Sequence, residues 1–322
     1  MTTVAAVDCG TNSIRLLVLR QEDDGTITEL ARETRLAKLG QGVDATGEFH
    51  PDALERANRI FEEYAGIISS HGTDQVRFVA TSAARDVSNR AVFEANVRER
   101  LGIKVDVIPG AEEAYLSTLG VLSGVDAPTP CLVFDIGGGS TELIVVADPV
   151  PEPAPATEEP GRSKGSPRIA YSVSLDIGAV RMKERFLPGD PPSTDEVVQA
   201  RAYIGAQLDA TDVDFPSLVS AVGVAGTATS FAAAKLGMQE YVRNKVHETL
   251  LTRDDIEEHL GRWLNQRAAV TAEEPCMHPL RAQVIAAGGL ILDEISRRIP
   301  GGNVLVSETD ILDGIALGLL AP

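Results

Sequence analysis

The sequence predicts an α/β protein of two similar halves, each a mixed sheet covered by helices, facing one another across a cleft. Three observations lead there. A short stretch occurs twice, as Asp8-Cys9-Gly10-Thr11-Asn12-Ser13-Ile14-Arg15-Leu16 and as Asp135-Ile136-Gly137-Gly138-Gly139-Ser140-Thr141-Glu142-Leu143, with Asp, Gly, Ser and Leu at matching positions. Each copy lies between apolar, β-prone runs and is followed by a similar succession of strands and helices. The length, 322 residues, suits two domains with sizeable cores.

Each repeated stretch reads as a strand, a tight polar turn and a returning strand. Glycine and small hydroxyl residues let the backbone approach a ligand and aim several N–H groups at it, which is what a phosphate oxygen requires. The aspartate that closes each first strand, Asp8 or Asp135, can then hold a cation or a water beside that phosphate. The expectation is that the two hairpins grip a phosphate-bearing substrate between them.

The elements follow in order. Val4 to Asp8, Ser13 to Arg20 and Thr26 to Leu36 read as three antiparallel strands. Pro51 suits the first position of a helix, and Leu54, Ala57, Phe61, Tyr64 and Ile68 give it one apolar face. Gln75 to Ala80 is a strand, Asn89 to Leu101 a helix and Lys104 to Ile108 a strand; Gly110 then opens a helix from Ala111 to Leu122. The pattern restarts with strands at Cys131 to Asp135, Thr141 to Ala147 and Arg168 to Leu175. Residues 148–167, rich in proline and acid, read as a flexible excursion at a hairpin tip. A helix capped by Ser193 runs from Thr194 to Leu208, and a strand from Leu218 to Val224. Gly226-Thr227-Ala228-Thr229 is expected to turn that strand into a helix from Ser230 to Leu236. Helices at Arg253 to Arg267 and His278 to Arg298 and a strand at Asn303 to Val306 come next. Ser307 with Asp310 reads as a capping box for a terminal helix from Glu308. The domains are expected at 1–124 and 125–307, with the terminal helix at 308–322.

Composition is that of a globular enzyme, 43% hydrophobic and 24% charged with 4% aromatic residues. The net charge of −18 argues against a nucleic-acid or anionic membrane partner. No apolar run has the length of a membrane span, and Met1 leads into a strand, so the expected location is cytoplasmic. Cys9, Cys131 and Cys276 are odd in number and scattered, and the five histidines show no metal spacing. A homodimer is compatible with the sequence.

Taken together, these residues resemble the exopolyphosphatase and guanosine pentaphosphate phosphatase family within the actin-like phosphotransferase superfamily. The resemblance runs through Asp8 to Leu16, Thr81-Ser82-Ala83-Ala84-Arg85-Asp86 with Asn89, and Ile108-Pro109-Gly110-Ala111-Glu112-Glu113-Ala114. It continues through Asp135 to Leu143, Ser174-Leu175-Asp176-Ile177-Gly178-Ala179-Val180-Arg181, Gly226 to Thr229, and Asp310-Ile311-Leu312-Asp313-Gly314. It implies two ribonuclease H-like domains around an interdomain cleft, a terminal helix packed back on the first domain, magnesium dependence, and release of terminal phosphate from inorganic polyphosphate. Longer members carry further C-terminal helical domains associated with a grip on long polymers, which this chain is expected to lack.

The resemblance also implies roles. Glu113 is the expected base for the attacking water, where the alternative is a helix-dipole contact for Glu112 and Glu113. Glu142 is the second carboxylate near water or metal, and Asp135 is the expected magnesium ligand with Asp8 as its counterpart. Phosphate oxygens are expected on Gly10, Thr11, Asn12 and Ser13 and on Gly137, Gly138, Gly139 and Ser140. Arg85 is the expected bidentate phosphate clamp. Thr227, Arg15 and Arg181 are further candidates, although Arg181 alternatively begins a helix and Thr227 alternatively caps one. Guanosine pentaphosphate is an alternative substrate; an actin-like ATP-binding protein and a sugar or acid kinase are more distant readings.

Overall fold

The computed structural model describes residues 1–85, 87–147 and 168–320; Asp86, the excursion at 148–167 and residues 321–322 lie outside the described residues. The first sheet contains β1 (Thr2–Cys9), β2 (Ser13–Gln21), β3 (Ile27–Leu36), β4 (Gln75–Ala80) and β5 (Val105–Val107), in the order β3-β2-β1-β4-β5. The second contains β6 (Cys131–Ile136), β7 (Thr141–Ala147), β8 (Arg168–Leu175), β9 (Ser220–Val224), β10 (Leu250–Leu251) and β11 (Val304–Val306), in the order β10-β11-β9-β6-β7-β8. Read from β8, the second sheet repeats the first and adds β10 at its edge. The pairing directions repeat as well. In each sheet the first three strands are antiparallel neighbours, and the first strand runs parallel to the fourth, which runs parallel to β5 in the first sheet and to β11 in the second. This is the ribonuclease H-like arrangement, present twice.

β1 shows why its sequence is almost continuously apolar. Ala5 and Val7 face one core, with Phe61, Phe78 and Phe93 from β4 and the helices Pro51–His71 and Arg90–Leu101. Val4 and Ala6 face the other, with Leu116, Ile311 and Ile315. Both sheet faces are covered, so neither can be polar. On the helix Pro51–His71 the buried positions are Ala53, Ala57, Ile60, Phe61, Tyr64 and Ile68, close to the expected face.

The helix Gly110–Gly124 lies between the two sheets. Leu116 packs into the core beneath β1, while Ala114 and Val121 pack with Val133, Ile144 and Val222 of the second sheet. Apolar burial on several sides erases a single hydrophobic stripe. The helix Ile311–Leu320 crosses it so closely that a Cβ on Gly120 would fall 1.7 Å from the Asp310 carbonyl oxygen, and one on Gly314 would fall 1.9 Å from that of Leu116.

Several boundaries differ from the sequence reading. Gly226 to Thr229 do not form a turn: the helix starts at Ala225, whose φ of 62° makes the turn in one residue, and continues to Lys235. The long helix expected from His278 is interrupted. A turn Pro279–Ala282 precedes the helix Ile285–Ser296, with Val284 off helical geometry between them. Arg281 explains the separate turn, since it donates to Gly226 O at 2.8 Å and Ser230 Oγ at 3.0 Å. The terminal helix begins at Ile311, not Glu308; Asp310 Oδ1 accepts from Leu312 N, and Asp313 Oδ2 accepts from Asp310 N. Ser307 is occupied with Thr309 instead. Ser193 does cap its helix, in a reciprocal pair with Glu196.

Candidate active site

The two hairpins are built alike. Gly10 N donates to Ser13 O and Gly137 N to Ser140 O, each at 3.0 Å, so the turns close in the same way. Asp8 pairs across its hairpin with Arg15, and Asp135 across its own with Glu142. One position therefore carries a cation in the first copy and an acid in the second.

Neighbouring segments tie back the carbonyl groups of both turns. Thr11 O accepts from Gly40 N at 2.8 Å, and Asn12 O from Ala37 N and Lys38 N at 3.0 Å. In the second turn, the helix Ala179–Phe186 presents its first amides: Ala179 N reaches Gly137 O at 2.9 Å and Val180 N reaches Gly138 O at 2.8 Å. Arg181 Nε completes the set on Gly139 O at 2.8 Å. In a planar trans peptide the N–H points opposite the C=O, so fixing these carbonyls turns the following amides the other way. Arg181 lies within this helix rather than beginning it.

The turns meet tip to tip. A Cβ on Gly138 would lie 2.9 Å from Thr11 Cβ, and one on Gly139 would lie 2.9 Å from Thr11 Oγ1. The absence of a side chain here serves close approach of the two hairpins. Between them opens a cavity of about 450 Å³, lined by Gly10, Thr11, Asn12, Ser13, Gly137, Gly138 and Ser140. Asp8, Asp135, Glu113, Glu142 and Thr227 also line it. Gly139 does not; it packs against Thr11 and Ser82.

Glu113 sits in the first turn of the helix Gly110–Gly124 and is 8% exposed. Burial, and then the nearby Glu142 carboxylate, push its pKa well above the usual carboxylate range, against the pull of Arg85. Burial also raises Glu142, opposed by the hydroxyls of Ser140 and Ser174, which both donate to its Oε1 at 2.7 Å. Asp135 is raised well above its ordinary value by burial and then by Glu142. Its carboxylate makes no hydrogen bond or ion pair with the described residues, and it faces the cavity. Such a group is available to a cation.

Three expectations need revision. Arg85 is not placed as a phosphate fork: its Nη1 donates to Glu113 Oε2 at 2.7 Å and Ile108 O at 3.1 Å, and it does not line the cavity. Asp8 differs from Asp135, because its Oδ2 accepts from Arg15 Nε at 3.0 Å and Nη2 at 2.6 Å. That makes it an anchor for Arg15, which also reaches Asp310, and leaves it less open to another partner than Asp135. Burial opposes the charge on Arg15, but Asp310, Asp8 and Asp135 more than offset it. Thr227 faces the cavity from inside a helix, so it is neither a turn residue nor the cap of that helix.

Sequence reasoning missed Arg281 and Asp310. Arg281 lines the cavity without an ion pair among the described residues, and burial lowers its pKa. Its local sequence, His278-Pro279-Leu280-Arg281, carries only a helix-start signal. Asp310 was visible as a capping residue, but its contact with Arg15 spans 295 positions.

Comparison with known proteins agrees with this geometry. The family model described as the Ppx/GppA phosphatase family matches residues 18–321. Exopolyphosphatase 2 of Mycobacterium tuberculosis is 39% identical over 334 aligned residues, covering 99% of each chain. A crystal structure of an exopolyphosphatase-like protein is 37% identical with a TM-score of 0.89, covering 99% of both chains. The Aquifex aeolicus member of the Ppx/GppA family is 26% identical with a TM-score of 0.79, covering 99% of this chain and 97% of that one. With the duplicated sheets, the paired turns and a family match over most of its length, the chain belongs to the Ppx/GppA phosphatase family.

Proposed function

We propose that this protein is an exopolyphosphatase that releases orthophosphate from the end of inorganic polyphosphate by direct attack of water. The observation that carries the reading is the pair of tied-back turns meeting over a cavity that also holds Glu113 and Glu142. The amides of Asn12, Ser13, Gly138 and Ser140 would hold oxygens of the terminal phosphate. Glu113, fixed by Arg85, would take the proton of the attacking water, and Glu142 would orient that water through the oxygen its two serines leave free. A raised pKa suits a base that accepts a proton near neutral pH. The reading places residues 1–124 and the terminal helix on one side of the cleft and residues 125–307 on the other.

A divalent cation fits this donor set as magnesium would. Magnesium commonly takes one or two carboxylates and fills its remaining positions with waters and substrate phosphate. Asp135 supplies an unpartnered carboxylate, and among the described residues no group of three or more His, Cys, Asp and Glu forms a protein-only cage. Bound there, magnesium would neutralise charge on the transferring phosphate. It would also help a chain of net charge −18 accept a polyanion.

Guanosine pentaphosphate remains a second reading because the cavity extends past the turns to Tyr241, His278 and Arg281, a wall suited to a nucleoside with further phosphates. The test is phosphate release from polyphosphates of several lengths, guanosine pentaphosphate and ATP, each with magnesium. Release from polyphosphate is expected, with Glu113→Ala folded and slower by about 10²- to 10⁴-fold. Hydrolysis of the pentaphosphate without polyphosphate would select the second reading.

A further inference from the structure

We propose that His247 is a positioning residue that acts only as the neutral imidazole carrying its proton on Nε2. It joins the far end of the helix that holds Glu113 to the crossover that holds Glu308 and Asp310. The proposal rests on the hydrolytic reading given above for the cavity these residues share.

The tautomer follows from the partners, both of which are backbone groups with a fixed role. Glu308 N lies 3.1 Å from Nδ1, and an amide can only donate, so Nδ1 accepts. Gly124 O lies 3.0 Å from Nε2, and a carbonyl can only accept, so Nε2 bears the proton. Gly124 ends the helix whose first turn contains Glu113. Glu308 belongs to residues 307–310, which lead from β11 into the helix Ile311–Leu320. These two segments already touch, since a Cβ on Gly124 would fall 2.5 Å from Thr309 Oγ1.

The crossover delivers charge to the cavity. Glu308 and Asp310 both line it, and Asp310 pairs with Arg15, which faces the same space. The Glu308 carboxylate is taken by Tyr241 and by Arg243, whose Nε lies 3.3 Å from Oε2. Arg243 Nη2 also donates to Glu308 O at 2.8 Å. Residues 241–247 therefore hold the amide, the carbonyl and the carboxylate of Glu308, and His247 is the part that holds the amide.

A second proton on the ring would find no acceptor. The charged and titratable groups on the segments packed against it are Arg243, Lys245 and Glu248 on its own segment, Glu308 and Asp310 on the crossover, and Asp126 beyond Gly124. None of the carboxylates forms an ion pair with the ring among the described residues, and that of Glu308 is engaged elsewhere. The helix end at Gly124 favours a cation, which works toward protonation. Protonated Nδ1 would nevertheless face Glu308 N–H, and two opposed donors leave both unsatisfied. An imidazolium thus keeps Gly124 but gives up Glu308, and with it the fixed approach of Asp310 to Arg15.

Two substitutions separate the two bonds. Asparagine places an oxygen near Nδ1 and does not titrate, so His247→Asn keeps the Glu308 bond at every pH; glutamine places an amide near Nε2, so His247→Gln keeps only the Gly124 bond. Steady-state phosphate release from polyphosphate with magnesium is measured for the parent and both variants. Nitrogen NMR spectra of the histidine side chains are recorded without substrate, His247 being assigned by its absence from either variant. At about pH 8 the spectra should show His247 neutral with its proton on Nε2. There kcat is expected within about threefold of the parent for His247→Asn and about tenfold lower for His247→Gln, with KM changed less than kcat, because a small misplacement of Arg15 tells most in the transition state. From about pH 8 to 5, where histidines titrate, the ratio of parent kcat to that of His247→Asn should fall about tenfold in step with the NMR titration of His247. Glu113 acts alike in both proteins and cancels in that ratio. A proton on Nδ1 in place of Nε2, an imidazolium at about pH 8, a flat ratio, or equal kcat in the two variants would each overturn the proposal. If His247→Gln fails to fold, the ratio decides; if His247→Asn fails, the parent against His247→Gln decides. A parent that releases phosphate but shows a flat ratio sinks only this inference, whereas a parent that releases none from polyphosphate sinks the reading beneath it.

Discussion

At the scale of single residues the active-site argument turns on two glutamates in one buried cavity. Glu113 and Glu142 each raise the cost of charging the other, and different donors hold them: Arg85 for the first, two serine hydroxyls for the second. Arg85 favours the ionised form of Glu113, so Arg85→Met should move the acidic limb of the kcat/KM profile to higher pH. A limb that stays in place while activity falls evenly at all pH values would assign Arg85 another role. Burial makes Glu113 a stability liability as well. Its folded pKa lies above the unfolded value, so its contribution is favourable below the unfolded pKa and is lost as pH rises through the folded one. Glu113→Gln should therefore be more stable than the parent by about 1 kcal/mol at pH 8, with the gain vanishing toward pH 4; thermal melts across that range measure it. The motif was enough to single out Glu113, which lines the cavity, whereas Arg85, read as a clamp, pairs with Glu113. A side chain beside a motif reveals its residue type but not which of two neighbours it will reach.

Among the elements, the helix Gly110–Gly124 and its crossing with Ile311–Leu320 do most to place the chemistry. The first carries Glu113 at its N-terminal turn and packs against both sheets, and the second presents Asp310 to Arg15. Gly120 and Gly314 permit backbone contact where any Cβ would collide with a carbonyl oxygen. Gly314→Ala should cost about 2–3 kcal/mol in denaturant unfolding and lower activity as well, because the helix can relieve the clash only by moving Glu113 or Asp310. An unchanged midpoint would show that the crossing is looser than these distances require. Local signals foretold the capped helix from Thr194 and the proline-led helix from Pro51, since caps and leading prolines act within a few residues. The break at Val284 and the one-residue turn at Ala225 were not legible, because long-range anchoring by Arg281 decides the first and a strained φ the second.

For the whole molecule, two copies of one sheet place one turn on each side of a single cavity. Among the described residues Asp135 offers an unpartnered carboxylate there, and the side chains form no closed metal cage. Chelating divalent cations should therefore abolish hydrolysis while shifting the melting temperature by less than about 2 °C, since a metal held with waters and substrate adds little folding free energy to the free protein. A large loss of stability on chelation would instead point to a structural metal. Net charge of −18 should also make polyphosphate capture faster as monovalent salt rises from very low levels, because screening weakens long-range repulsion. Stopped-flow binding measures that trend, and a steady fall with salt would show that the local field of the cleft dominates.

By itself, the sequence determined the duplicated α/β plan, the two turn hairpins and the candidate acids, because strand alternation, turn glycines and the repeat are carried by neighbouring residues. Tertiary structure decided that Arg85 pairs with Glu113, that Asp8 pairs with Arg15, that Gly139 faces a hairpin rather than the cavity, and that Arg281 and Asp310 line the cavity. Those outcomes depend on which groups the fold brings together, across separations that run from 7 positions for Asp8 and Arg15 to 295 for Arg15 and Asp310. A guanidinium or carboxylate takes the partner that the packed backbone brings within hydrogen-bond reach, and no local pattern encodes that distance.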